Sequence, residues 1–156
     1  MSAAPLRQAA LLALLTPAAL LGGAYIGQYV FNLYPCEMCW WQRYPHFAAL
    51  ALGLVGMVRP SRPVVALAAL AILASGLIGA YHAGVEYGWW EGLTACTAKA
   101  TAGAADPMAA IWDAPIVRCD DVQWSLLGIS LAGFNFLIST ASAGLILRLL
   151  GRGARP

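Results

Sequence analysis

Four long stretches of the chain are almost wholly apolar, and short polar or proline-bearing segments separate them. They run from about Leu11 to Phe31, Cys36 to Val58, Val64 to His82 and Trp124 to Leu147. A helix rises about 1.5 Å per residue, so about 20 apolar residues cross a hydrocarbon core about 30 Å thick. The pattern therefore predicts an all-α membrane protein, one domain over residues 1–156, built as a four-transmembrane-helix bundle. The segment Arg59-Pro-Ser-Arg62-Pro63 reads as a tight turn between the second and third spans. Asn32 to Pro35 is a minimal connection, whereas residues 83–123 form a long loop between the third and fourth spans. Loops of that length are uncommon unless they carry function. Within it, Asp106-Pro-Met-Ala-Ala-Ile-Trp-Asp113 is predicted as a short helix, with Asp106 as cap and Pro107 at its first position.

Composition agrees with the bilayer as solvent. Charged residues make up 10% of the chain and hydrophobic ones 61%, whereas a soluble domain carries about 25% charged residues. Arg7, Arg59, Arg62, Arg148, Arg152 and Arg155 fall on one side of the predicted topology, and only Arg43, Lys99 and Arg118 fall opposite. The positive-inside rule makes the first side cytoplasmic, with both termini there and the long loop outside. That distribution describes a membrane topology, and no nucleic-acid partner is expected. The first stretch follows Arg7 like a signal peptide, but a signal's apolar core ends within about 7–15 residues. Here apolar character continues to Val30-Phe31, which predicts an uncleaved span. Trp40, Trp41, Trp89, Trp90, Trp112 and Trp124 collect at the predicted outer boundaries, as in an aromatic belt. Gln28 and Asn135 are expected to bond across helices, and Gly23-x-x-x-Gly27 to allow close helix approach.

The four cysteines, Cys36, Cys39, Cys96 and Cys119, all fall at or beyond the outer boundary, where disulfides persist. Four cysteines allow three connectivities, and the spacing favours Cys36 with Cys39 and Cys96 with Cys119. A pair separated by two residues closes too small a ring to add much stability, which points to redox chemistry. A metal site is not expected, because the chain lacks a second close pair. Cys36 follows Pro35 at a helix start, where free N–H groups and the helix dipole favour a thiolate. Arg43 lies four residues after Cys39 on the same face, so its guanidinium can approach that sulfur. With His82 at the outer end of the third span, Cys39 and Arg43 make a polar corner beside lipid. Such a corner suits a quinone carbonyl that gathers negative charge as it accepts electrons.

At Cys36-Glu-Met-Cys39-Trp-Trp-Gln-Arg43 the chain closely resembles the DsbB family, quinone-coupled reoxidants of the periplasmic dithiol oxidase DsbA. Further matches are Tyr81-His82-Ala-Gly-Val-Glu86, and Cys119 followed by Trp124-Ser-Leu-Leu-Gly-Ile-Ser-Leu-Ala-Gly133. The resemblance implies a multi-pass protein of the bacterial inner membrane that takes electrons from a periplasmic DsbA-like, thioredoxin-fold protein. It implies that Cys96 forms the mixed disulfide with that partner and that Cys119 then attacks Cys36. Cys39 is thereby freed as a thiolate that meets ubiquinone, or menaquinone at low oxygen, with Arg43 and His82 holding the quinone. The acidic residues of the loop suit a DsbA-like partner of this chain's own kind. Two rival readings are a vitamin K epoxide reductase-like enzyme and a four-span scaffold with structural disulfides. In the first group the helix-associated pair follows the loop pair, whereas here it comes first.

Overall fold

The computed structural model describes residues 4–93 and 117–152. Four helices pack as an all-α bundle among the described residues: α1 (Ala4–Val30), α2 (Glu37–Val58), α3 (Arg62–Glu86) and α4 (Leu131–Arg152). A small hairpin, β1 (Ser125–Leu126) paired antiparallel with β2 (Ile129–Ser130), leads into α4. Helices α1, α3 and α4 are long and apolar enough to cross a membrane. Helix α2 has 22 residues, but Glu37, Gln42, Arg43 and His46 make its first half more polar. The segment predicted as a short helix, Asp106 to Asp113, lies outside the described residues, as do Cys96, Lys99 and Trp112.

Small residues face inward and large ones outward. Ala9, Ala10, Ala13, Ala49, Ala68, Ala69 and Ala143 are buried with Val65, Ile72 and Ile146, while Leu54, Val58, Leu67, Leu70, Leu77 and Leu145 are exposed. A bundle in water buries its large side chains; lipid removes that incentive and leaves close backbone packing to hold the helices. The closest approaches fall at glycines on α2 and α3. A Cβ on Gly53 would stand 2.8 Å from the Ala13 carbonyl oxygen, which lacks an N–H partner within α1 because residue 17 is proline. A Cβ on Gly79 would stand 2.9 Å from the Ala132 carbonyl oxygen and 3.0 Å from Asn135 Nδ2. Gly23 differs from expectation: nothing lies within 4 Å of its added Cβ. That part of α1 turns toward a cavity instead of a neighbouring backbone.

The last helix starts later than the apolar run suggests. Leu127 and Gly128 both have positive φ, 53° and 78°, the conformation that closes a two-residue hairpin. Tyr87 from the end of α3 braces it, its hydroxyl donating to the Gly128 carbonyl at 3.0 Å and accepting from Ser130 N–H at 2.8 Å. Ser130 Oγ then accepts from Gly133 N–H at 3.1 Å, an N-cap that starts α4 at Leu131. The chain direction places the end of α1, the start of α2, the end of α3 and the start of α4 at one end of the bundle. Arg7, Arg59, Arg62 and Arg148 gather toward the other.

Candidate functional site

Cys36 is the N-cap of α2, and its sulfur accepts from Cys39 N–H at 3.3 Å. The extended backbone at Cys36 and the helical one at Cys39 turn both sulfurs to one side, 3.2 Å apart, with the Cys36 thiol donating to Cys39 Sγ. Cys36 is buried at the inner edge of the pair, and Cys39 is half-buried. Cys119 is buried in the same small cluster, with Cys36, Met38 and Val85. Beside it Arg118 pairs with Asp120 on the surface, and that guanidinium holds the Asp120 carboxyl below the usual carboxylate range. Cys96, the expected partner of Cys119, lies outside the described residues.

His82 reaches the pair from α3. Its Nε2 lies 3.6 Å from Cys36 Sγ and 3.8 Å from Glu86 Oε1, while Gln42 Nε2 donates to its Nδ1 at 2.8 Å. The Gln42 amide is itself fixed: its nitrogen also donates to the Met38 carbonyl at 3.2 Å, and its oxygen accepts from Asn135 Nδ2 at 2.8 Å. Nδ1 of His82 is therefore the acceptor, and the ring hydrogen sits on Nε2, on the side of the Cys36 thiol and the Cys119 backbone. His82 stands 3.6 Å from Cys36 Sγ, and it lines the same cavity as Cys39 and Arg43, the residues the sequence grouped it with.

Arg43 is 6% exposed and spans from α2 to α1. Its NH1 donates to Gln28 Oε1 at 2.7 Å and its NH2 to the Ala24 carbonyl at 3.4 Å. The rings of Tyr25 and Trp40 flank its guanidinium, each with its centroid 4.9 Å away. The guanidinium makes these contacts to α1 while lining the same cavity as Cys39. An oriented charge at this depth needs such partners, since an arginine in apolar surroundings is costly when unpaired.

Cys36, Cys39, Arg43, His82, Asn135 and the glycine face of α1 border one cavity of about 220 Å³ among the four helices. A dry apolar cavity of about 150 Å³ admits benzene, so this one has room for a substituted six-membered ring. Cys36, Cys39 and His82 also lie close enough to one another to be weighed as metal ligands. Three residues that the sequence reading did not single out belong here: Gln42, His46 and Glu86. The signal for the first two was present, since Gln42 and His46 are polar, four residues apart and inside an apolar helix, where polar groups mark function.

A hydrogen-bonded dithiol at a helix start, opening on a ring-sized cavity among apolar helices, is an arrangement that fits thiol redox chemistry in a membrane protein. The comparisons with known proteins agree: the sequence model described as "Disulfide bond formation protein DsbB" matches residues 6–149, and the chain belongs to that family. The protein named disulfide bond formation protein B of Verminephrobacter eiseniae is 32% identical over 97% of this chain and 89% of its own. The protein of that name from a Polaromonas species is 30% identical over 98% and 95%. An uncharacterised Rickettsia prowazekii protein is 26% identical over 76% of this chain and 73% of its own. No solved structure matches. Family and helices together support a multi-pass inner-membrane protein with a general disulfide and quinone redox role.

Proposed function

We propose that the protein is a protein dithiol:quinone oxidoreductase, which reoxidises a periplasmic DsbA-like protein and passes the electrons to the membrane quinone pool. The observation that carries this reading is the Cys36–Cys39 dithiol, 3.2 Å between sulfurs, on the wall of a cavity of about 220 Å³ that Arg43 also lines. Helix α2 is the fourth span, and the bundle end bearing Arg7, Arg59, Arg62 and Arg148 faces the cytoplasm, as the positive-inside rule requires. The dithiol and the loop 83–123 then face the periplasm.

In this reading Cys96 exchanges with the partner, and Cys119 carries the electrons inward to Cys36. Burial of Cys119 in the Cys36 cluster supports that short transfer. His82 donates its Nε2 hydrogen toward Cys36 Sγ, which steadies the sulfur as it leaves or receives a disulfide partner. Cys39 is left as the sulfur facing the cavity. Arg43, fixed by Gln28 and Ala24, supplies a positive charge that needs no reorganisation when negative charge develops beside it. The cavity fits a quinone in size and in its mix of apolar walls and few polar groups. Ubiquinone, or menaquinone at low oxygen, supplies the two-electron acceptor. That acceptor sets the driving force, because DsbA is itself a strong oxidant at about −120 mV and about 30 mV corresponds to 1.4 kcal/mol for two electrons.

Protein purified from its own membranes should carry extractable quinone, and the reduced protein should develop a visible absorption band when quinone is added. Absence of both, in protein that folds, contradicts the proposal and favours a scaffold with structural cysteines.

A further inference from the structure

The reduced pair and the ring beside it come close to a zinc site. The sulfurs of Cys36 and Cys39 are 3.2 Å apart, and His82 Nε2 is 3.6 Å from Cys36 Sγ. The three donor atoms all lie within 4.8 Å of one another. Zinc bonds of about 2.3 Å to sulfur and about 2.0–2.1 Å to nitrogen set tetrahedral edges of about 3.5–3.8 Å. Little movement therefore separates this cluster from a site with two cysteines, one histidine and an open fourth position. All three residues border the cavity, which gives an ion access to them.

One hydrogen stands in the way. Zinc binds an imidazole nitrogen through its lone pair, and on His82 Nε2 that place is taken. Two backbone carbonyls, which can only accept, put the hydrogen there. The Met38 carbonyl faces Gln42 Nε2 at 3.2 Å, and the Ser75 carbonyl faces Asn135 Nδ2 at 3.1 Å. Both side-chain amides are thereby fixed in orientation, and Asn135 Nδ2 also donates to Gln42 Oε1 at 2.8 Å. Gln42 is left with its nitrogen, and not its oxygen, against His82 Nδ1 at 2.8 Å. Nδ1 must accept, so the hydrogen stays on Nε2, where the Cys119 backbone also bonds the ring. A metal-binding histidine needs the reverse, an acceptor on its far nitrogen that holds the hydrogen away from the metal.

We propose that Gln42 is a specificity residue that keeps zinc out of the reduced dithiol. It acts through the tautomer of His82, and Asn135 holds its amide in place. Both sulfurs then stay free for exchange each time the pair is reduced, although thiols and imidazole stand at metal-binding distances. The inference goes beyond the quinone reading and stands without it, since it needs only the dithiol, the ring and the two amides.

The test uses the full chain in nanodiscs, reduced and anaerobic, with Cys96→Ser and Cys119→Ser as a common background so that Cys36 and Cys39 are the only thiols. Zinc affinity is measured by competition with a chromogenic chelator, and cobalt(II) serves as a coloured stand-in that reports tetrahedral coordination. In the background, His82→Ala should leave zinc affinity unchanged, because the ring is not a ligand. Gln42→Glu sets a carboxylate against Nδ1, draws the hydrogen there and frees Nε2. That protein should bind zinc at least about tenfold more tightly, the scale on which such outer partners act, and give intense visible cobalt bands. Adding His82→Ala should remove both gains. Gln42→Leu, which takes away the donor and supplies no acceptor, should gain less and serves if the glutamate variant does not fold. A fall in background zinc affinity on His82→Ala overturns the proposal, because the ring would then bind metal despite Gln42. So does a Gln42→Glu protein that gains nothing, or whose gain survives His82→Ala.

Discussion

The imidazole of His82 lies 3.6 Å from the Cys36 sulfur across the interface of α2 and α3, and its hydrogen is directed there by Gln42 on its other nitrogen. The ring can act on the thiol only while Gln42 donates to Nδ1. Gln42→Leu removes that donor and strands His82 Nδ1 in a buried site, while Asn135 Nδ2 keeps the Ser75 carbonyl. We expect quinone reduction about tenfold slower, in line with about 1–3 kcal/mol for stranded buried groups. The measure is turnover with a reduced DsbA-like protein as donor. Gln42→Glu, which would hold the hydrogen on Nδ1 instead, should not restore the rate.

Glycines on facing helices should respond in opposite ways. Gly79→Ala drives a methyl group against the Ala132 carbonyl, Asn135 Nδ2 and Gln42 Oε1, at 2.9, 3.0 and 3.1 Å. Backbone cannot move aside cheaply, so a loss of about 1–3 kcal/mol is expected, with bound quinone lost as well. Gly23→Ala meets nothing within 4 Å and gains helix propensity of up to about 1 kcal/mol. The protein should unfold no earlier, while the added methyl at the cavity wall weakens quinone binding. Thermal unfolding together with quinone content separates the two.

Arg43→Lys keeps the charge and loses the fork. A lysine cannot hold both the Gln28 and Ala24 contacts while lying flat between Tyr25 and Trp40. We expect the apparent KM for quinone to rise about tenfold, for loss of a charge-assisted hydrogen bond, with the rate of exchange between Cys96 and the partner unchanged. A stopped-flow measurement of each half-reaction reads the two apart.

Topology is tested by a single cysteine in the α2–α3 turn. Ser61→Cys, in a chain whose native cysteines are replaced, should react with an impermeant maleimide only after the inner membrane is opened. Labelling in intact spheroplasts would reverse the orientation and place Cys39 on the wrong side of the bilayer.

Much of the bundle was legible because long apolar runs and their basic flanks are averages over many residues. The cap position of Cys36 was legible too, from Pro35 and the two-residue spacing. Local conformation was not. Ser125-Leu-Leu-Gly-Ile-Ser130 reads as the first turns of a helix by hydropathy, yet positive φ at Leu127 and Gly128 and the Tyr87 brace make it a hairpin. Nor did Gly23-x-x-x-Gly27 reveal that it faces a cavity, because a small residue serves close packing and open space equally well. The partners of Arg43 and the Gln42–Asn135–His46 chain depend on which helix faces meet, which a single sequence does not encode locally.

The most direct measurement follows quinone absorbance after anaerobic mixing of the purified protein with ubiquinone and a reduced DsbA-like protein. Wild type should reduce one quinone for each partner dithiol consumed, and neither Cys36→Ser nor Cys96→Ser should reduce any. Undiminished quinone reduction by both variants would contradict the path from the loop cysteines through Cys36 to the ring.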